Sequence, residues 1–133
     1  MHTEHRGSCL CQAVRFKLVG EIEHFFLCHC AYCRKDTGSA HAANVFLSAA
    51  TVEWLSGAEH VRCFDLPATR HRKCFCGVCG SALPHASGSM QVVPAGCLDT
   101  PLTLAADAHI FMGSRADWDH DLAAAPRFDT FPQ

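Results

Sequence analysis

Apolar and polar side chains alternate along the first part of the chain. Phe16 and Leu18 belong to the apolar set, and Arg15 and Lys17 belong to the polar set. Alternation with a period of two is typical of a strand that buries one face and exposes the other. The pattern therefore predicts a half-buried strand over residues 7–19, and Gly20 predicts its end.

The later apolar runs are short and are separated by Gly, Pro or Ser. They predict strands over residues 24–28, 42–47, 52–55, 82–83, 90–93 and 108–112, and a hairpin with arms at 60–66 and 70–75. One helical turn is expected over residues 31–37, closed by Gly38. No segment has a sustained helical period. The predicted class is therefore mainly β, with short antiparallel strands.

Length and composition are those of one globular domain. The chain has 133 residues, of which 49% are hydrophobic and 18% are charged, so a single domain over residues 1–133 is predicted. A formal net charge of -2 offers no basic surface of the kind that nucleic acid requires. The first residues lack the apolar segment of a signal peptide, and no apolar run is long enough to span a bilayer. We expect a cytoplasmic protein without nucleic-acid or membrane partners.

Ten cysteines carry most of the candidate chemistry. In a reducing compartment, clustered thiols bind metal more often than they form disulfides. Three groups are tightly spaced: Cys9-x-Cys11, Cys28-x-Cys30-x-x-Cys33 and Cys74-x-Cys76-x-x-Cys79. Two thiols two residues apart in extended chain point to the same side, as metal binding requires. Metal sites are therefore predicted. Three cysteines are expected to be small buried residues or unreactive thiols: Cys63, Cys74 and Cys97.

The clustered thiols can be divided between two sites in two ways. In the first, the initial pair and the glycine-flanked turn form a four-thiolate structural site from Cys9, Cys11, Cys76 and Cys79. The middle group is then a three-thiolate site made of Cys28, Cys30 and Cys33. Structural zinc has four protein ligands, whereas catalytic zinc has three and leaves one position for water or substrate. In the second, Cys74, Cys76 and Cys79 form a three-thiolate site, because their spacing repeats that of the middle group. Spacing alone leaves both divisions open.

Six motifs together carry a family resemblance. They are Gly7-x-Cys9-x-Cys11, Cys28-His29-Cys30-x-x-Cys33-Arg34, Phe75-Cys76-x-x-Cys79-Gly80-Ser81, Gly96-x-Leu98-Asp99, His109-Ile110-Phe111 and Trp118. In order and spacing they resemble the glutathione-dependent formaldehyde-activating enzyme family, which also includes proteins similar to centromere protein V. Two positions depart from the family pattern: Gln12 stands where glycine is usual, and Cys74 lies outside the motifs.

The resemblance implies a mainly β fold with two zinc ions per chain. Its structural ion would be held by Cys9, Cys11, Cys76 and Cys79, and its catalytic ion by Cys28, Cys30 and Cys33. It also implies a carbon–sulfur lyase of the S-hydroxymethylglutathione synthase type, which joins the thiol of glutathione to formaldehyde. Metal ligation would favour the thiolate, the nucleophilic form of the substrate. The alternative is a non-catalytic zinc module in which the three-thiol group gains a fourth ligand.

Other side chains near the motifs are weaker candidates. His29 is expected to form core hydrogen bonds, because in extended chain its ring points away from the flanking thiols. His109 and Asp99 are interpreted as structural, with acid–base chemistry as the alternative. Basic residues could hold an anionic substrate or compensate the thiolates: Arg34, Lys35, Arg70, Arg72 and Lys73. Aromatic residues are expected mostly in the core, with three candidates for a pocket wall: Phe25, Phe46 and Trp118.

Overall fold

The protein consists mainly of β-strands in a computed structural model that describes residues 3–132. The strands are β1 Thr3–Ser8, β2 Arg15–Cys28, β3 Ala42–Ser56, β4 Val61–Asp65, β5 Arg72–Cys76, β6 Ala82–Leu83, β7 His85–Ser87, β8 Met90–Pro94 and β9 Ala108–Ile110. The helix is α1, Ala31–Thr37, and short 3-10 turns lie at Ala58–His60, Ala95–Cys97, Met112–Ser114 and Leu122–Ala124. Within residues 3–132, no helix has the length and apolar character to cross a membrane. The predicted mainly β class is confirmed.

The larger sheet is built on two long strands. Its order is β1-β2-β3-β8-β7, and β9 adds to the end of β2. β1 pairs antiparallel with the first part of β2, whereas β9 pairs in parallel with its last three residues, Phe26–Cys28. β2 and β3 have 14 and 15 residues. The strand predicted over 7–19 is divided, because residues 9–14 form the loop between β1 and β2, and β2 also includes the strand predicted over 24–28. The end of β2 is held between two neighbours, β3 and β9.

Gly20 does not end the first strand, and that prediction is wrong. β2 continues through Gly20 with an irregularity in its pairing with β3. A Cβ atom at Gly20 would lie 2.7 Å from Cβ of Ala50, so glycine permits a close approach of the two strands. On β3, Ala49 has a φ of 48°. The strands predicted over 42–47 and 52–55 are therefore one irregular strand.

A smaller sheet has the order β4-β5-β6. Its first two strands form the predicted hairpin, and the N–H of Leu66 donates to the carbonyl of His71 at 3.0 Å to close the loop. Cys63 and Cys74 are directly opposite each other on these strands and form a disulfide, with their Cα atoms 4.0 Å apart.

That disulfide corrects the expectation for two cysteines. Cys63 is exposed and is paired with the buried Cys74, so neither is a buried, unreactive free thiol. Cross-strand pairing brings the two sulfurs together, and the hairpin register that achieves this is not visible as a cysteine motif. Because Cys74 is already bonded, the structure does not form the alternative group of Cys74, Cys76 and Cys79.

The core contains residues from both sheets. Phe16 and Leu18 are fully buried, as the alternation predicts, and they pack with Val45, Leu47, Leu83 and Val93. Trp54 meets Phe16 edge to face, with ring centroids 5.9 Å apart, which is a favourable aromatic geometry. The thiols of Cys9 and Cys76 belong to the same cluster. These two thiols are therefore part of the main core.

Candidate metal centres

The first thiol cluster joins the two sheets. It contains Cys9 and Cys11 from the loop after β1, Cys76 at the end of β5, and Cys79 in the following turn. The four sulfur atoms lie within 4.8 Å of one another, and those of Cys9 and Cys11 are 3.6 Å apart. Ligands at the usual zinc–sulfur distance in a tetrahedron are separated by about 3.8 Å. The sulfur atoms are thus already close to the spacing that zinc requires.

The turn after β5 is shaped to present its two thiols. The N–H of Gly80 donates to the carbonyl of Cys76 at 2.7 Å, and Gly80 has a φ of 81°. Glycine adopts this left-handed conformation without the strain that a Cβ atom would cause. The N–H of Val78 lies 3.4 Å from the Cys76 sulfur, and the N–H of Val14 lies 3.2 Å from the Cys9 sulfur. Backbone donors therefore face the sulfurs, which favours thiolates.

Burial differs strongly among these four thiols. Cys9 and Cys76 are buried, Cys79 is half-buried, and Cys11 is exposed. A hydrogen bond with the Ser81 side chain, at 3.2 Å, lowers the pKa of Cys79 to about 5. Ser81 also accepts a hydrogen bond from the N–H of Leu10 at 2.8 Å. One serine thus connects the turn of the smaller sheet to the loop that carries the first cysteine pair.

The second thiol cluster lies at the end of β2. Cys28 is the last residue of that strand, Cys30 is the N-cap of α1, and Cys33 lies in its first turn. Their sulfur atoms are within 4.8 Å of one another, and within residues 3–132 no other Cys, His, Asp or Glu completes the group at that distance. α1 ends at the predicted Gly38, which has a φ of 66°. The three-thiol group is therefore presented by a strand end and one short helix.

The three thiols of this cluster are not electrostatically equivalent. Burial raises the pKa of Cys33 above its ordinary value, and the neighbouring Cys28 adds to the effect. Burial also acts on Cys30, but hydrogen bonds outweigh it, the first from the N–H of Cys33 at 3.3 Å, and the pKa of Cys30 is lowered. Three thiolates so close together require a cation, because like charges oppose one another's ionisation. An all-sulfur donor set suits a soft or borderline metal such as zinc.

His29 separates two of these thiols and points into a different environment. Its side chain is 2% exposed, and its Nε2 lies 2.9 Å from Nδ1 of His109. Its Nδ1 lies 3.1 Å from Oδ2 of Asp119, and its backbone N–H donates to the carbonyl of Ile110 at 3.0 Å. Burial, followed by the nearby His41, lowers the pKa of His29. The expected hydrogen-bonding role is confirmed. Through these contacts, His29 fixes the position of the backbone that carries Cys28 and Cys30.

A comparison with protein families decides the relationship of the chain. The family model for the glutathione-dependent formaldehyde-activating enzyme matches residues 4–114, a range that contains both thiol clusters. The chain belongs to the glutathione-dependent formaldehyde-activating enzyme family. The resemblance stated from the cysteine motifs is thereby confirmed.

Individual relatives of this family member differ in how much they share with it. A Halomonas elongata protein provisionally named glutathione-dependent formaldehyde-activating enzyme is 38% identical over 86 residues, which cover 58% of this chain and 52% of that protein. The chain thus spans about half the length of that relative. The crystal structure of a Rhodobacter sphaeroides protein matches with a TM-score of 0.54 and 24% identity, covering 78% of this chain and 98% of the other. That similarity shows the fold alone.

The remaining candidates of this family member lie in different places. Asp99 accepts a hydrogen bond from Ser8 at 2.7 Å and lines a cleft beside Cys9, so it belongs to the surroundings of the four-thiol cluster. His109 contacts His29, which lies between two cysteines of the three-thiol cluster. Trp118 is 60% exposed. Phe25 packs against the main core, and Phe46 is 5.7 Å from the ring of Phe26.

The basic candidates also separate into two groups. Arg72 forms an ion pair with Asp65 at 3.3 Å, and the ammonium of Lys73 bonds to the backbone carbonyl of Asp36. Arg34 is half-buried on α1, and its Nε atom is buried with no hydrogen-bond partner within residues 3–132. Lys35 and Arg70 are exposed. Arg34 follows Cys33 directly in sequence and carries a donor that is unmatched within residues 3–132.

Sequence reasoning missed Asp119. It lies in a segment without helical or strand periodicity, and only the neighbouring Trp118 matched a family motif. Its contact with His29 spans 90 residues of chain, so no local pattern predicts it. An acidic residue beside a motif tryptophan was the only signal available.

Proposed function

We propose that this chain is a zinc-dependent carbon–sulfur lyase of the S-hydroxymethylglutathione synthase type. It joins a small thiol, with glutathione as the first candidate, to a small aldehyde, with formaldehyde as the first candidate. The observation that carries the proposal is the unequal ligand count, with four thiols in one cluster and three in the other. A zinc ion with three protein ligands keeps one position for substrate. Membership of the formaldehyde-activating family supports the choice of substrates.

The proposal gives each cluster one zinc ion. The structural ion is assigned to Cys9, Cys11, Cys76 and Cys79, and the catalytic ion to Cys28, Cys30 and Cys33. The thiol spacing and the sulfur-only donor sets fit zinc in both places. The chemistry that zinc supplies when bound is stabilisation of a thiolate near neutral pH. Residues 1–133 are taken as one domain that carries both ions.

The chain's own residues determine which side of the second cluster receives substrate. Cys28 and Cys33 are buried and pack with Ala42 and Ile110, so apolar groups exclude water from that side. Cys30 is half-buried. A substrate thiol therefore approaches from the side of Cys30, where α1 begins. His29 keeps the two flanking thiols at fixed positions through its contacts with His109 and Asp119.

Arg34 is assigned to the substrate's negative charge. A buried donor without a partner is costly, and such groups are usually matched by water or ligand. The Nε atom of Arg34 is such a donor, one residue after Cys33. A guanidinium is also well suited to bind a carboxylate. Glutathione carries carboxylates and a thiol in one molecule, so it can use Arg34 and the open zinc position together.

Binding and turnover can be tested on zinc-loaded protein. Glutathione binding should release a proton, because a thiol loses its proton on metal ligation. Calorimetry in buffers of different ionisation enthalpy measures that release, and exchange NMR with labelled formaldehyde measures S-hydroxymethylglutathione formation above the spontaneous rate. Cys30→Ser should abolish both effects, whereas Cys97→Ser should preserve them because Cys97 lies outside both clusters.

A second experiment on the same zinc-loaded protein distinguishes the non-catalytic alternative. X-ray absorption at the zinc edge should show an average of fewer than four protein sulfurs per ion, and the spectrum should change when glutathione is added. Four protein sulfurs on both ions, with no change on addition of thiol, would establish a purely structural module. Arg34→Gln should weaken glutathione binding more than binding of the uncharged 2-mercaptoethanol. Equal losses for the two thiols would remove Arg34 from the substrate site.

A further inference from the structure

The disulfide between Cys63 and Cys74 lies outside both thiol clusters. It faces an open cleft of about 480 Å³ between β3, the smaller sheet and β7. Both of its residues line that cleft, together with Trp54, Arg72 and His85. Nothing in the proposed lyase chemistry uses this cleft. The sulfur–sulfur bond therefore borders a space large enough for a small organic molecule.

The two halves of the disulfide differ in exposure. Cys63 is exposed on β4, which is an edge strand of the smaller sheet. Cys74 is 3% exposed on β5, between β4 and β6. Thiol–disulfide exchange requires a thiolate to reach one of the two sulfurs, so access decides which sulfur is attacked. The exposed sulfur of Cys63 is the electrophile, and Cys74 is the leaving group.

The charge of the cleft favours an anionic thiol. Among the residues that line it, the ionisable cationic side chains are Arg72 and His85. Burial lowers the pKa of His85, so Arg72 supplies the permanent positive charge. Asp65 pairs with Arg72 at 3.3 Å but is highly exposed and does not line the cleft. Exposed ion pairs are weak, so the guanidinium remains available to a second anion.

From this arrangement we propose that the Cys63–Cys74 disulfide is a thiol-exchange site for a small anionic thiol such as glutathione. The incoming thiolate attacks the sulfur of Cys63 and forms a mixed disulfide there. The sulfur–sulfur bond to Cys74 breaks, and Cys74 takes a proton from solvent to become a free thiol. A second thiol molecule can then release the oxidised small disulfide and leave two free protein thiols. The exchange needs no zinc, and it is independent of the proposed lyase activity.

Peptide mapping of the folded, zinc-loaded protein tests the exchange. The protein is treated with reduced glutathione, quenched in acid and blocked with N-ethylmaleimide before digestion and mass spectrometry. We expect one glutathionyl group on Cys63 and one maleimide on Cys74, whereas untreated protein should give the two peptides linked. Cys30→Ser protein should react in the same way, because its disulfide is unchanged. That result separates a failure of this site from a failure of the lyase proposal.

Arg72→Ala tests the preference for anionic thiols against a matched control. The ratio of the rate with glutathione to the rate with the cationic thiol cysteamine should fall by about twofold to fivefold, the size of one exposed ion pair. Arg62→Ala should leave the ratio unchanged, because Arg62 bonds to the carbonyls of Glu59 and Val61 and does not line the cleft. If Arg72→Ala does not fold, the same ratio in the original protein should fall as salt is raised.

Four results would overturn the inference. Maleimide on both cysteines of untreated protein would show that the disulfide is absent. Exchange only after denaturation would show that the bond is structural and inaccessible. A glutathionyl group on Cys74 would reverse the assigned direction of attack. A thiol ratio that responds neither to Arg72→Ala nor to salt would remove the anionic preference.

Discussion

The two thiol clusters use the same side chain but connect very different parts of the chain. The four-thiol cluster joins the loop after β1 to the end of β5, and two of its thiols lie in the main core. The three-thiol cluster takes all its members from six consecutive residues, and packs in a smaller group with Ala42 and Ile110. One cluster connects the two sheets, and the other is local.

This difference has a thermodynamic consequence. A cross-link removes more entropy from the unfolded chain when it closes a longer loop. A metal held between Cys9 and Cys76 closes a long loop, whereas one held by Cys28, Cys30 and Cys33 closes almost none. Under the proposed assignment, a zinc ion at the first cluster would therefore contribute to folding, and one at the second would contribute mainly reactivity. Ligand number and sequence separation lead to the same division of roles.

The largest expected effect comes from breaking the long-range cluster. Cys76→Ser should lower the free energy of unfolding by about 4 kcal/mol or more, the scale for closing a loop of several tens of residues. Cys30→Ser should lower it by less than about 2 kcal/mol, because its cluster is local. Thermal unfolding of the purified proteins measures the loss of stability in each variant, and elemental analysis measures how much zinc each variant retains. Equal losses of melting temperature would contradict the division of roles.

A matched pair of phenylalanines tests the same contrast without touching a thiol. Phe16 and Phe26 lie on the same strand, but Phe16 is fully buried beside the four-thiol cluster and Phe26 is half-buried near the other. Phe16→Ala should cost about 3 kcal/mol or more, because it leaves a cavity in the core. Phe26→Ala should cost about 1 kcal/mol, because much of its surface is already in water. Denaturant unfolding of the two variants gives the comparison.

If Phe26→Ala proves as costly as Phe16→Ala, the three-thiol end of β2 is part of the folding core after all. The local cluster would then also be expected to resist chelation as strongly as the first. Zinc release to a chelator, followed for both variants, would show whether the two properties change together.

The parts of this fold that the sequence predicts are those determined by neighbours along the chain. Alternation predicted that Phe16 and Leu18 face the core, and the helical turn over 31–37 with its Gly38 cap agrees with α1. The two thiol clusters also assemble as the first division of the cysteines supposed. For the buried side chains and the helical turn, the determining information lies within a few residues. The four-thiol cluster instead joins two distant cysteine pairs, and it was predicted from the spacing within each pair and the ligand number of structural zinc.

The features that sequence reasoning missed depend on distant partners. Gly20 was interpreted as a break because glycine is usually a turn signal, but its role is to let β3 approach β2. The Cys63–Cys74 bond depends on the hairpin register, and the His29–Asp119 contact spans most of the chain. No single segment encodes these relationships. A single sequence therefore predicts the ligands of each cluster better than the groups that surround them.

A smaller effect is expected from the histidine that holds the local cluster. His29→Ala should weaken zinc binding at the three-thiol cluster by about tenfold, the lower end for loss of a group that orients metal ligands. His24→Ala is the control, because His24 is exposed on the same strand and stacks only on Phe26 among the ring contacts described. Competition with a chromophoric chelator measures the change. Loss of the four-thiol zinc in His29→Ala would contradict a local role.

The smallest effect compares two glycines, one in each cluster's supporting turn. Gly38 ends α1 and Gly80 closes the turn after Cys76; both have positive φ, and a Cβ atom at either would meet nothing within 4 Å. Alanine in this conformation costs about 1 kcal/mol from backbone strain.

Because the surroundings are open at both positions, Gly38→Ala and Gly80→Ala should lower the free energy of unfolding by similar amounts while zinc is bound. After chelation, the cost of Gly80→Ala should fall below that of Gly38→Ala, because the turn no longer has to hold two thiols around an ion. Chemical unfolding of both variants with and without chelator measures the four values. A much larger cost for Gly80→Ala that persists without zinc would show that the turn supports the fold by itself, and the metal would then be less important at the first cluster than its loop length indicates.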